Sequence, residues 1–136
     1  MKVLFVEDGR GVQLRYQQLI KGLALKIESL WADNIDDGVA MVRANPDIAI
    51  IVLDGDLGGR SGSELIGAVR SEFKGKIIAA SGSRYVCRDL LGAGANFSCD
   101  GDKEQVGRLL AEINEKLLEI LVAIREAAPV LNGAPS

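Results

Sequence analysis

Short, nearly unbroken apolar runs alternate five times with amphipathic stretches along this chain, and that alternation limits its fold more than any single residue does. Each run is long enough for one strand and each stretch for one helix, the pattern of repeated βα units around a parallel sheet. The runs place strands at about 2–7, 25–31, 48–53, 76–81 and 95–99, and helices at about 11–22, 35–45, 62–73, 84–92 and 103–127. Ile48-Ala49-Ile50-Ile51-Val52-Leu53 has no polar break, as a central strand covered on both faces requires. Leu25-Lys26-Ile27-Glu28 alternates apolar with charged, which suits an edge strand. Val12, Tyr16, Leu19 and Leu23 recur at helical spacing, and Asn45-Pro46 is a helix stop.

With 136 residues the chain has the length of one domain, expected to be ordered over 1–127 and to end in a flexible tail at 128–136. The absence of histidine excludes Ser-His-Asp and Cys-His catalysis, His-ligated zinc and a phosphohistidine carrier. A formal net charge of −3 with no long basic run argues against direct binding of nucleic acid. Cys87 and Cys99 are too few for a disulfide framework or a metal cage and read as reduced core or loop thiols. No apolar run is long enough to span a membrane, and Val3-Leu4-Phe5-Val6 stops at Glu7-Asp8, unlike a signal peptide. The expected compartment is the cytoplasm.

In an open parallel sheet the ligand crevice forms from the loops that follow the strands. Those loops hold Glu7-Asp8 after the first strand, Asp54 to Gly62 after the third, Ser81 to Arg84 after the fourth, and Asp100 to Lys103 after the fifth. Glu7, Asp8 and Asp54 should meet at one edge. Carboxylates that close repel unless protonated or bridged, and an all-oxygen cluster suits a hard divalent cation such as Mg²⁺.

Val3-Leu4-Phe5-Val6-Glu7-Asp8, then Val52-Leu53-Asp54-Gly55-Asp56-Leu57-Gly58-Gly59-Arg60-Ser61-Gly62, then Ile77-Ile78-Ala79-Ala80-Ser81-Gly82, then Gly94-Ala95-Asn96-Phe97, in that order and spacing, resemble the receiver domain of two-component response regulators. The resemblance covers residues 1 to about 115. It implies an α/β, flavodoxin-like domain, a five-stranded parallel sheet in order 2-1-3-4-5 with helices on both faces, that takes a phosphoryl group from a histidine kinase or phosphotransfer protein. By position, Asp54 is the phosphoacceptor, and Glu7 and Asp8 match the acidic pair that holds Mg²⁺. The main-chain carbonyl of Asp56 matches the remaining protein ligand. Ser81 matches the hydroxyl that contacts the phosphoryl group, although a serine there also reads as a turn former. Gly62 matches the family glycine eight residues past the acceptor, and Phe97 the aromatic that swings inward on activation, unless a shift puts Ser98 there.

Two positions depart from the family pattern. The Lys-Pro pair after the fifth strand is replaced within Cys99-Asp100-Gly101-Asp102-Lys103, so the lysine position holds Asp100 or Gly101. Lys103, two or three positions late, and Arg84, three residues past Ser81, are the candidate substitute cations. The proline after the third strand is replaced by Gly58.

Val106, Leu110, Ile113, Leu117, Ile120 and Ile124 follow one another at alternating steps of four and three, a heptad seam on a helix longer than the sheet it covers. The overhanging stripe of Leu117, Ile120, Leu121 and Ile124 is expected to pack in a homodimer or on another protein. The chain is expected to be a stand-alone signalling protein with no output domain after it, acting on a downstream protein target and not an enzyme beyond its own phosphorylation. A pseudo-receiver that binds partners without phosphorylation is the main alternative. Asp54-Gly55-Asp56 also resembles the nucleophile motif of haloacid dehalogenase-like phosphatases, but lies on the third strand and lacks the Thr or Val that usually follows.

Overall fold

A computed structural model describes the backbone of residues 1–99 and 103–132, with the side chains of 103, 117, 118, 121, 124, 125 and 127–132 outside the described set. The elements are β1 (Lys2–Val6), α1 (Arg10–Gly22), β2 (Glu28–Ala32), α2 (Ile35–Ala44), β3 (Ile48–Leu53), β4 (Asp56–Leu57), β5 (Arg60–Ser61), α3 (Ser63–Val69), β6 (Lys76–Ala79), α4 (Arg84–Ala93), β7 (Phe97–Ser98) and α5 (Lys103–Asn132). Five strands form one sheet in the order β2-β1-β3-β6-β7, every pairing parallel. This is the expected 2-1-3-4-5 order, with β1 and β3 in the middle.

The unbroken apolar strands are buried on both faces because successive side chains point to opposite sides. Leu4, Val6, Ile51, Leu53, Ile77 and Ala79 pack with Val42 of α2, Leu65, Ile66 and Val69 of α3, and Leu90 of α4. Val3, Phe5, Ile50, Val52, Ile78 and Ala80 pack with Tyr16 of α1 and with Val106 and Leu110 of α5. A slip of one residue in β1 or β3 would exchange these two sets, so the register is strongly specified.

The second strand begins three residues later than expected. Leu25 and Ile27 are instead half-buried where the chain leaves α1, packed against the core that holds Tyr16. There Leu25 N donates to Ile20 O at 3.1 Å and Ala24 N to Lys21 O at 3.2 Å, a Schellman turn that places Ala24 at φ +50°. Replacing Ala24 by glycine, which accepts that conformation without a Cβ penalty, is expected to raise stability by about 0.5–1 kcal/mol in urea unfolding.

The third helix is shorter than expected, ending at Val69 with Arg70 as its cap. The last helix is longer, running to Asn132 where an end at 127 was expected. Glu126-Ala127-Ala128 are strong helix formers, which carries the helix past 127. At 30 residues it is about 45 Å long. Val106 and Leu110 of its seam are fully buried and Ile113 is half-buried, whereas Ile120 and Val122 are more than half exposed. Leu117, Leu121 and Ile124 lie outside the described side chains.

Candidate functional site

Four strands, β1, β3, β6 and β7, carry their ladder one step past their ends, and those steps place the site. Asp54 N donates to Val6 O at 3.0 Å, Glu7 N to Ala32 O at 3.0 Å, Ala80 N to Leu53 O at 2.9 Å, and Cys99 N to Ala79 O at 2.8 Å. Glu7, Asp8 and Asp54 therefore sit side by side at the carboxyl edge, as expected. One carboxylate oxygen from each lies within 4.8 Å of the other two. Glu7 is buried, Asp54 half-buried and Asp8 exposed. Charges at such spacing repel by several kcal/mol at an effective dielectric of about 20. An all-oxygen donor set of this kind fits a hard cation better than any soft metal.

Local bonds hold the acidic pair. Glu7 Oε1 accepts from Gly9 N at 3.2 Å, and its main-chain oxygen accepts from Gln13 Nε2 at 2.6 Å. The start of α1 at Arg10 follows at once, so the positive end of that helix faces the carboxylates. Tyr16 lies on the same helix. Burial holds its hydroxyl well above the ordinary tyrosine range, and the negative charges of Glu7, Asp54 and Cys99 raise it further.

The loop after Asp54 contains a feature that the sequence reading missed. Asp56-Leu57 and Arg60-Ser61 pair antiparallel as β4 and β5, joined by Gly58 at φ +64° and Gly59 at φ +84°. Positive φ at both central residues of a two-residue hairpin is the type I′ turn, and Gly-Gly is one of its signals. Asp56 is exposed, and its side chain accepts from Gly59 N at 3.2 Å. Gly58 N donates to Asp8 Oδ2 at 3.3 Å, tying the hairpin to the acidic pair. Arg60 bridges it to Asp36 and to Glu64, each at 3.2 Å; as exposed pairs these add little stability. The residue that replaces the family proline is thus a glycine held at a φ that proline cannot adopt. Gly58→Pro is expected to lower stability by about 1 kcal/mol and to loosen the hairpin, seen as faster amide exchange at Gly59 and Arg60.

Gly62 closes the loop. Its N donates to Gly55 O at 3.0 Å, and a Cβ on it would strike the main-chain oxygen of Asp54 and crowd Leu53 and Leu90. Glycine is required here by close approach of backbone to backbone.

Ser81 follows β6 and is buried. Its Oγ accepts from Ser83 N at 3.3 Å, the turn-forming bond, and its own hydroxyl proton remains to donate. Ser83 caps α4, accepting from Val86 N at 3.4 Å. Arg84 is exposed in the first turn of that helix and borders a surface recess with Cys87, Arg88, Leu91 and Ser98. Phe97 on β7 is half-buried, packs against the Tyr16 core and borders a second recess with Leu109, Glu112, Ile113 and Lys116. Asp100, Gly101 and Asp102, and the side chain of Lys103, lie outside the described residues, and with them the position of the family lysine.

No family model and no curated protein sequence matches the chain. Solved structures do. The signal receiver domain of a Vibrio parahaemolyticus protein described as a Luxo repressor aligns at a TM-score of 0.72 and 21% identity, over 89% of this chain and 95% of that one. The receiver domain of Francisella response regulator 1452 aligns at 0.70 and 15% identity, over 85% and 98%. The receiver domain of a Pseudomonas aeruginosa sensor histidine kinase, solved with a magnesium ion coordinated in its active-site cleft, aligns at 0.69 and 18% identity, over 82% and 94%. The chain has the fold of the response regulator receiver domains.

Proposed function

We propose that the protein is a receiver in two-component signalling, accepting a phosphoryl group on Asp54 with Mg²⁺ and passing the signal on by protein contact in the cytoplasm. The observation that carries this reading is the meeting of Glu7, Asp8 and Asp54 oxygens within 4.8 Å at the carboxyl edge of a receiver fold. The magnesium site described for the Pseudomonas receiver domain supports the choice of ion.

Glu7, Asp8, Asp54 and the main-chain carbonyl of Asp56 would hold Mg²⁺. Bound there, the ion would offset the charge of the cluster and of the transferring oxygens. An Asp54 carboxylate oxygen attacks phosphorus, forming an acyl phosphate as the P–N bond of a phosphohistidine breaks and the departing imidazole keeps the electron pair and takes up a proton. Ser81 donates its hydroxyl proton to a phosphoryl oxygen. Arg84 and Lys103 are the candidate cations for the same group. The protein turns over no other substrate. Incubation with Mg²⁺ and phosphoramidate is expected to add one phosphoryl group in the intact-mass spectrum, and none when the metal is chelated.

Asp100 and Gly101 at the family's lysine position favour a second reading, a pseudo-receiver. Partner binding unchanged by Asp54→Ala and by phosphodonor would select it.

The contact surface proposed is the overhang of α5, where the heptad pattern continues past the sheet and Ile120 is 55% exposed. A homodimer through Leu117, Ile120, Leu121 and Ile124 would cover it. Light scattering is expected to give a dimer for the wild type and a monomer for the Leu117→Glu, Leu121→Glu double variant; a monomeric wild type contradicts it.

A further inference from the structure

Glycines lie against the main chain of Asp54 where α4 packs on it. Gly55 is buried, and a Cβ built on it would fall on Cγ1 of Val86, with Val86 Cβ at 3.3 Å and Leu90 Cδ1 at 3.6 Å. A Cβ on Gly62 would likewise come within 3.3 Å of Leu90 Cδ2. Val86 and Leu90 stand four apart on α4 and so share one face. That face rests on bare backbone, and Val86 fills the volume that a side chain at position 55 would take. Gly55 is not among the glycines held at positive φ. What excludes a side chain there is the Val86 methyl, not the local conformation.

This seat restrains the phosphoacceptor on its open side. Toward β3, Asp54 N is fixed by Val6 O at 3.0 Å. On the other side comes a glycine, whose peptide rotates freely unless something holds it. Gly62 N holds Gly55 O at 3.0 Å, and Val86 covers the Cα. Carboxylates crowded within 4.8 Å push one another apart, so a loose Asp54 would swing away from its neighbours. The same turn of α4 also reaches Ser81, whose main-chain oxygen accepts from Cys87 Sγ at 3.6 Å.

We propose that Val86 is a positioning residue for the phosphoacceptor: its Cγ1 methyl, seated in the notch left by the missing side chain of Gly55, pins the main chain at Asp54 and keeps the Asp54 carboxylate aimed at the incoming phosphorus. The role rests on the phosphoryl-transfer reading above and works through Asp54.

The two positions share room for one methyl, and the test moves it from one to the other. Val86→Ala empties the notch while keeping the cap bond from Val86 N to Ser83 Oγ. Gly55→Ala forces the clash. The Gly55→Ala, Val86→Ala double variant puts a methyl back at nearly the same point from the other side. Phosphorylation by phosphoramidate at saturating Mg²⁺ is followed by intact mass, well below every melting transition, so that a loss of stability alone does not move the rate. Each single variant is expected to react about tenfold more slowly than the wild type. The double variant is expected to recover to within about twofold of it, faster than either parent. A double variant no faster than Val86→Ala overturns the proposal. So does a Val86→Ala rate within about twofold of the wild type, whatever its melting temperature. If Gly55→Ala alone does not fold, Val86→Ala against the double variant decides. A wild type that takes up no phosphoryl group overturns the function proposed above together with this role. A wild type that is phosphorylated, with Val86→Ala at the same rate, overturns this role alone.

Discussion

Gly62→Ala is expected to cost about 3 kcal/mol, lowering the melting temperature by roughly 10 °C in a domain of this size. The added methyl meets the main-chain oxygen of Asp54, with Leu53 and Leu90 close behind. A flexible side chain would yield to it; backbone at the end of β3 yields only by breaking the ladder step from Asp54 N to Val6 O. The same shift would carry the Asp54 carboxylate away from Glu7 and Asp8, so Mg²⁺ binding should weaken along with stability. Gly67→Ala is the control. That glycine lies on the exposed side of α3 with nothing within 4 Å of an added Cβ, and alanine there should stabilise the helix by up to about 1 kcal/mol. Equal effects at both positions would show that Gly62 is not the close contact described.

Asp54→Asn is expected to abolish phosphorylation while leaving the fold intact. The amide lacks the ionised oxygen that attacks phosphorus, and among the described residues no neighbouring acid is placed to substitute. Asp8 is engaged by Gly58 N, and Glu7 is buried with one oxygen bonded to Gly9 N. Mg²⁺ affinity should fall by at least about tenfold, because one of three charged ligands has become neutral. Removing a charge from a cluster of like charges relieves repulsion. The variant is therefore expected to melt no lower than the wild type without metal, which separates loss of chemistry from loss of structure.

The sheet was legible because both of its faces are written in the strands. Ile50 and Val52 go to one side and Ile51 and Leu53 to the other, and an unbroken run of that length has no other stable environment. The acid cluster was legible for the same reason, since strand ends fix where Glu7, Asp8 and Asp54 must emerge. The hairpin of β4 and β5 was not, because two-residue strands carry no periodicity. Gly58-Gly59 alone signalled it, and that pair was read only as the loss of a proline. The start of β2 was misplaced because Leu25 and Ile27 are apolar for packing against the α1 face, not for pairing. Tyr16 was read as one more apolar position on a helix. Its ring does belong to the core.

The central claim is that Asp54 receives the phosphoryl group. An acyl phosphate can be trapped by borohydride, which reduces the phosphorylated aspartate to homoserine. After treatment with Mg²⁺ and phosphoramidate, peptide mass mapping is expected to find homoserine at position 54 and at none of the other acids, with no conversion when Mg²⁺ is withheld. Homoserine at Asp8 or Asp56, or hydroxynorvaline at Glu7, in place of homoserine at Asp54, or no conversion with the metal present, would contradict the account.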